Sequence, residues 1–345
     1  MELPNPPLFQ RDHVAHTRIE SPEYKGRMQT ARPQAERDSW LHCAGFCMYV
    51  PVYVGGPTTT FNAWCSYVVA PQQAMDLRSV AVYIVRWVAL WVHWELMCHW
   101  TPVFAVVGHH LFLRPGVPVY VKMVVVYWNL HFLWSKFTLI WRFCRMWAVC
   151  DGVEVPENQL RCVHNNFSIP GFWRGWHRSF NIWLLRYLYI PLGGNRVAVW
   201  RQLLSVGLVF MFVAVWHDFN IKLIKWGWLF ILFFAPEMAA VAWSNTAGAR
   251  AWYGAASYRA LVAAGAALNI VMLIVGNFVG YGAGSAGKAV GPLLWSLLFD
   301  DQGNFQWMCW LVAAGMLFSA AQLQLFARAR EDGLQIGHPA RKQAA

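Results

Sequence analysis

From Leu203 to Trp216 the chain carries a single polar side chain, Ser205, before it reaches His217 and Asp218. A run of that kind, extended by its flanks from Val199 to His217, has the length and composition of a membrane-crossing helix. Within a bilayer every backbone polar group must find its partner inside the segment, which leaves the helix as the natural choice. Comparable runs recur along the chain. Of its 345 residues 57% are hydrophobic and 13% charged, which excludes a disordered chain and argues against a soluble enzyme. The expected fold is all-α, a multispanning integral membrane protein.

The punctuation divides the chain into three parts. Residues 1–40 read as a polar, largely irregular lead-in. Residues 41–327 read as the membrane domain, and residues 328–345 as a polar carboxy-terminal tail. Inside the domain, Leu41–Val54 is expected to be short or re-entrant, because Gly55-Gly56-Pro57 breaks it. Ser79–Trp100, Val103–Leu113, Val117–Trp134 and Phe137–Val149 follow as apolar segments. Asp151–Pro170 is the most polar internal stretch and reads as a loop. Phe172–Tyr187 reads as one helix, followed by helices at Val199–His217, Leu223–Trp243, Tyr258–Gly280 and Phe305–Phe326, with a flexible link at Gly280-Tyr281-Gly282-Ala283-Gly284. The total is about eight membrane segments.

The net charge of +11, from 28 Lys and Arg against 17 Asp and Glu, is scattered between apolar runs rather than gathered into a stripe. That distribution suits an anionic membrane surface or an anionic cosubstrate, and not a nucleic acid. The cysteines at positions 43, 47, 65, 98, 144, 150, 162 and 309 form no CxxC pair and read as free thiols. No metal-binding pattern emerges, since His93, Glu95 and His99 do not share a helical face and no HExxH occurs.

Two histidines stand out. His217 closes an apolar run, and titratable groups at membrane depth are costly enough to suggest a role. A neutral imidazole there could deprotonate a hydroxyl or amine. It could equally be an interfacial ring packed on Trp216 and bonded to Asp218. His177 belongs to a polar stripe. In a continuous helix Arg174, His177, Arg178 and Asn181 fall on one face, with Trp173, Trp176, Phe180 and Trp183 on the other. The stripe fits the wall of an internal tunnel, or an amphipathic helix lying on lipid phosphates.

The stretch Asn165-Asn166-Phe167-Ser168-Ile169-Pro170-Gly171-Phe172-Trp173-Arg174-Gly175-Trp176-His177-Arg178-Ser179-Phe180-Asn181, followed by Arg186-Tyr187-Leu188-Tyr189-Ile190-Pro191-Leu192-Gly193-Gly194 and Trp216-His217, resembles the membrane-bound O-acyltransferase (MBOAT) superfamily. It is most similar to the glycerol-uptake-protein (GUP) branch, which is related to Hedgehog acyltransferase. Tyr49-Val50-Pro51, Gly55-Gly56-Pro57, Thr60-Phe61-Asn62, Asp151-Gly152 and Pro156-Glu157-Asn158 support the likeness.

The resemblance implies a helical bundle around a tunnel, here expected to lack some amino-terminal spans. It also implies acyl transfer from acyl-CoA, a cosubstrate with no other cofactor, to a lipid or lipid-anchored acceptor at the endoplasmic reticulum membrane. The family's near-invariant histidine matches His217, and its second active-site position matches His177. Arg174, Arg178, Asn181, Trp173, Trp176, Trp216 and Asp218 become the candidate substrate-binding residues. Lysolipid acylation and remodelling of a glycosylphosphatidylinositol (GPI) anchor are the acceptor chemistries it suggests, and the branch is linked to glycerol uptake. A polyol transporter with a His217–Asp218 proton relay, or an inactive regulatory paralogue, are the competing readings.

Overall fold

A computed structural model describes residues 22–336 apart from 54, 73–74, 253–255 and 283–289. Among the described residues the chain is helical, and its only β pairing is two isolated bridges. The helices used below are α1 Pro22–Gln29, α2 Trp40–Met48, α3 Phe61–Val69, α4 Leu77–Trp100, α5 Val119–Cys150, α6 Ile169–Gly175, α7 Arg178–Leu184, α8 Val199–His217, α9 Ile221–Ser244, α10 Ala256–Asn277, α11 Val290–Leu298 and α12 Trp307–Ile336.

Five helices are long and apolar enough to cross a membrane: α4, α8, α9, α10 with its extension to Gly282, and α12 as far as Arg328. Their apolar surface is turned outward to a degree no water-soluble fold tolerates. In α4 only 6% of the most apolar window is buried, and Val85, Trp91, Val92 and Leu96 all stand exposed. Such a surface needs lipid or protein against it. The chain is an integral membrane protein.

The main core is built on the α8–α9 hairpin. It turns through Asp218, Phe219 and Asn220, and the Asn220 side chain accepts a hydrogen bond from Lys222 N at the start of α9. Phe210, Val213 and Ala214 of α8 meet Leu223, Trp226, Phe230 and Phe234 of α9 in the main core. The α10 segment closes on this hairpin where it has no side chains. A Cβ at Gly276 would lie 2.7 Å from Phe230, and one at Gly280 would lie 2.5 Å from Trp226. Spaced four apart, the two glycines open one face of the segment to those rings.

Several expectations are corrected. The lead-in is not irregular over its described part: α1 and Gln34–Arg37 are helical. Tyr24 and Met28 of α1 lie one turn apart and are buried against Ala63, Trp64 and Tyr67, while residues 1–21 lie outside the described part. Val117–Trp134 and Phe137–Val149 are not two segments. They form the continuous 32-residue helix α5, because Ser135 and Lys136 interrupt the apolar pattern without breaking helical geometry. Thr138 bonds back to Trp134 O at 2.6 Å. The tail is helical through Ile336, and residues 337–345 fall outside the described part, as do Ala283 and Gly284 of the expected link. Five helices meet the crossing criteria among the described residues, against about eight segments expected.

Candidate active site

Phe172–Tyr187 is not a single helix. Helix α6 starts at Ile169, with Ser168 as its cap and Pro170 in its first turn, and ends at Gly175. Trp176 is extended, and His177 adopts a left-handed backbone, φ 44° and ψ 53°. Helix α7 then restarts at Arg178 and passes into a wide π-type turn over Leu185–Tyr189. Outside glycine the left-handed region costs about 1–3 kcal/mol and persists only where surroundings over-determine it. Here they do. Arg178 N donates to Asn158 O at 3.2 Å, Ser179 N donates to Asn158 Oδ1 at 3.0 Å, and Thr58 N donates to Ser179 Oγ at 2.7 Å.

The entry to α6 is held as firmly. Ile169 N donates to the carboxylate Oε2 of Glu237, 2.8 Å away on α9. This buried acid sits where the helix dipole favours negative charge. Asn269 Nδ2 donates to Phe167 O at 3.2 Å, and Arg328 Nη2 donates to Asn165 O at 2.7 Å. The segment carrying the polar stripe is thereby tied to α9, α10 and α12.

Both candidate histidines face one cavity of about 900 Å³, large enough for a lipid-sized ligand. His217, the last residue of α8, keeps an exposed face there. It is ringed by Trp216 at 4.9 Å, Tyr281 at 5.7 Å and Trp226 at 6.3 Å between centroids, all edge-on. His177 lies flat against Trp141, at 4.6 Å and 19°. Its Nε2 makes no hydrogen bond to the protein. Trp216 touches both imidazoles, its ring 6.3 Å from that of His177. Burial, and after it the neighbouring His217 imidazole, pushes the His177 pKa down to about 3, so the ring is neutral at physiological pH.

Although the helix breaks, the stripe stays together. Arg174, His177, Arg178 and Asn181 all line the cavity, as do Trp173, Trp176 and Trp216. Asp218 does not. It lies beyond the end of α8 in extended backbone, exposed, and outside the cavity lining. The lining also includes residues that sequence reasoning passed over: Lys25 of α1, Trp141, Trp226 and Tyr281. With 22 tryptophans in the chain, aromatic content alone could not single out Trp141 or Trp226. Tyr281 sat inside an apparent glycine link. Among the described residues the cavity lining includes three cations, Lys25, Arg174 and Arg178, and no Asp or Glu.

The match to known proteins agrees with this geometry. Residues 24–281 match the family model of MBOAT, the membrane-bound O-acyltransferase family. The chain belongs to the membrane-bound O-acyltransferase family. It is 34% identical over 307 residues to membrane-bound O-acyltransferase GUP1 of Saccharomyces cerevisiae, covering 89% of this chain and 52% of that protein. It is 35% identical over 289 residues to the GUP1 of Candida tropicalis, covering 83% of this chain and 47% of the relative. A more distant likeness, 27% over 191 residues, is to protein-cysteine N-palmitoyltransferase HHAT of Mus musculus, covering 54% of this chain and 38% of that protein. The chain thus spans about half the length of its GUP1 relatives. Within this family member, the matched region contains both histidines and all the stripe residues.

Proposed function

We propose that the protein transfers a fatty acyl group from acyl-CoA to a hydroxyl of a lipid acceptor, with His217 as general base. The observation that carries this reading is the shared cavity: two imidazoles linked by the Trp216 ring, in a wall whose charged side chains, among the described residues, are cations.

The imidazole of His217 takes the proton of the acceptor hydroxyl as its oxygen attacks the thioester carbonyl. Help of this kind is worth about 10²–10⁴-fold. A tetrahedral oxyanion forms and collapses, breaking the carbon–sulfur bond. The departing CoA thiolate takes the proton back from the imidazolium, so no net proton is released. Neutral His177 and Asn181 orient the donor and steady the developing oxyanion. Arg174 and Arg178 pair with phosphates of CoA or of a headgroup.

A lysolipid or a GPI anchor is the acceptor class, and the endoplasmic reticulum membrane the location, that the GUP resemblance supports. The mainly aromatic and aliphatic wall of the cavity suits an acyl chain better than a polyol path, which favours acyl transfer over transport. The test is transfer of labelled palmitoyl from palmitoyl-CoA to lysophospholipid by the full chain in nanodiscs. His217→Ala should abolish it with the fold intact. Transfer at the parental rate would overturn the base role, and glycerol flux into sealed vesicles without acyl-CoA would favour a transporter.

A further inference from the structure

The segment Pro156-Glu157-Asn158 carries none of the chemistry assigned above, yet it is anchored with unusual care. The Tyr83 hydroxyl of α4 donates to Glu157 Oε2 at 2.9 Å. Arg142 and Arg145 of α5 pair with the same carboxylate at 3.5 and 3.8 Å, and Arg145 Nε donates to Val155 O at 3.1 Å. These contacts fix the next residue, Asn158, which is 1% exposed.

Asn158 faces the start of α7. The first N–H groups of any helix lack an internal partner and need an acceptor from elsewhere. Ordinarily the N-cap side chain supplies it. The N-cap of α7 is His177, whose side chain makes no capping hydrogen bond. Asn158 supplies both acceptors instead, its carbonyl to Arg178 N and its Oδ1 to Ser179 N. An antiparallel bridge between Gln159 and Trp176 continues the pairing on the other side of the turn. Trp141, the neighbour of Arg142, stacks on the imidazole. The stretch of α5 that holds Glu157 therefore also holds the ring of His177.

We propose that Asn158 is a positioning residue for His177: it caps α7 from outside the helix, and so frees the imidazole from capping and fixes the left-handed turn that presents it to the cavity. The inference rests on the acyltransferase reading of that cavity. It also specifies which atom matters. Asn158 Nδ2 has no hydrogen-bond partner in the protein, so the oxygen is the working group and an aspartate can replace it, favoured by the helix dipole.

The experiment compares Asn158→Asp, Asn158→Gln and Asn158→Leu in the full chain, alone and combined with His177→Ala. Asp should keep kcat within about threefold, whereas Leu and Gln, which remove or displace the oxygen, should lower it by about 10–100-fold with KM for palmitoyl-CoA little changed. In the His177→Ala background, Asn158→Gln should cost nothing further, since its effect passes through His177. Amide exchange gives a readout free of activity: the Arg178 and Ser179 N–H groups should exchange faster in Gln and Leu, and at the parental rate in Asp. Should Leu not fold, Gln carries both measurements. Parental kcat in Asn158→Gln beside an inactive His217→Ala would overturn the positioning role and leave the acyltransferase reading standing. An equal loss with or without His177 would reduce Asn158 to a structural residue. Full activity in His217→Ala would instead remove the parent reading, with amide exchange still testing the clamp.

Discussion

The Trp141 ring of α5 covers the imidazole of His177 face to face, with centroids 4.6 Å apart. Trp141 is buried and also meets Trp176 edge-on at 5.7 Å, so the ring behind His177 is itself held. A wide aromatic backing restricts tilt of the imidazole without using either nitrogen.

Removing that backing should cost activity before it costs the fold. Trp141→Phe keeps an aromatic face and should lower kcat for acyl transfer only a few-fold. Trp141→Ala should lower kcat by about 100-fold and destabilise the protein by about 3–5 kcal/mol. Steady-state kinetics together with thermal denaturation in detergent check both.

Burial of His177 gives stability a pH dependence of known sign. Folded His177 takes a proton only near pH 3, whereas an unperturbed histidine takes one at 6.5. Between those values the unfolded chain binds the extra proton, so this contribution is complete above about pH 6.5 and is lost as the pH falls. Asparagine tolerates left-handed backbone and does not titrate. His177→Asn should therefore lose less of its Tm than the parent between pH 7.5 and 4.5. Parallel Tm curves would contradict this.

Arg174 lines the cavity from α6. Arg174→Gln should raise KM for acyl-CoA by about tenfold, the scale of one charge-assisted hydrogen bond, with a smaller effect on kcat. The parental KM should rise with salt more steeply than that of the variant. Titrations at two ionic strengths test it.

Glu237 ties α9 to the first turn of α6 through Ile169 N. Glu237→Gln keeps an acceptor and should be tolerated. Glu237→Ala leaves a buried N–H without its partner and should cost about 1–3 kcal/mol, read as a lower midpoint of denaturation. Activity should fall with it, because α6 leads directly into His177.

The spans were legible because length and composition alone define them: α8, α9 and α10 follow from long, predominantly apolar runs. The polar stripe was legible as a set, since Arg174, His177, Arg178 and Asn181 do line one cavity. Their arrangement was not. The break at Trp176–His177 has no glycine or proline at the left-handed position, and it is imposed by Asn158, distant in sequence. Tertiary contact overrode local helical preference. Likewise the chain of imidazoles His93, His131 and His164, with successive N···N distances of 3.0 Å, joins α4, α5 and the short helical turn Val163–Asn165, which no spacing rule connects. The burial of α1 rests on Tyr24 and Met28, two apolar residues in a stretch whose average is polar.

Lys25 reaches the cavity from α1, far from either histidine in sequence. A fragment cut to begin at the first apolar run would keep both imidazoles and the five crossing helices, yet lose Lys25 from the cavity wall. Trimming the polar start to ease expression would thus strip the packing of Tyr24 and Met28 from α3 along with a cation of the cavity, and the weak turnover of the remnant would be misread as an inactive enzyme.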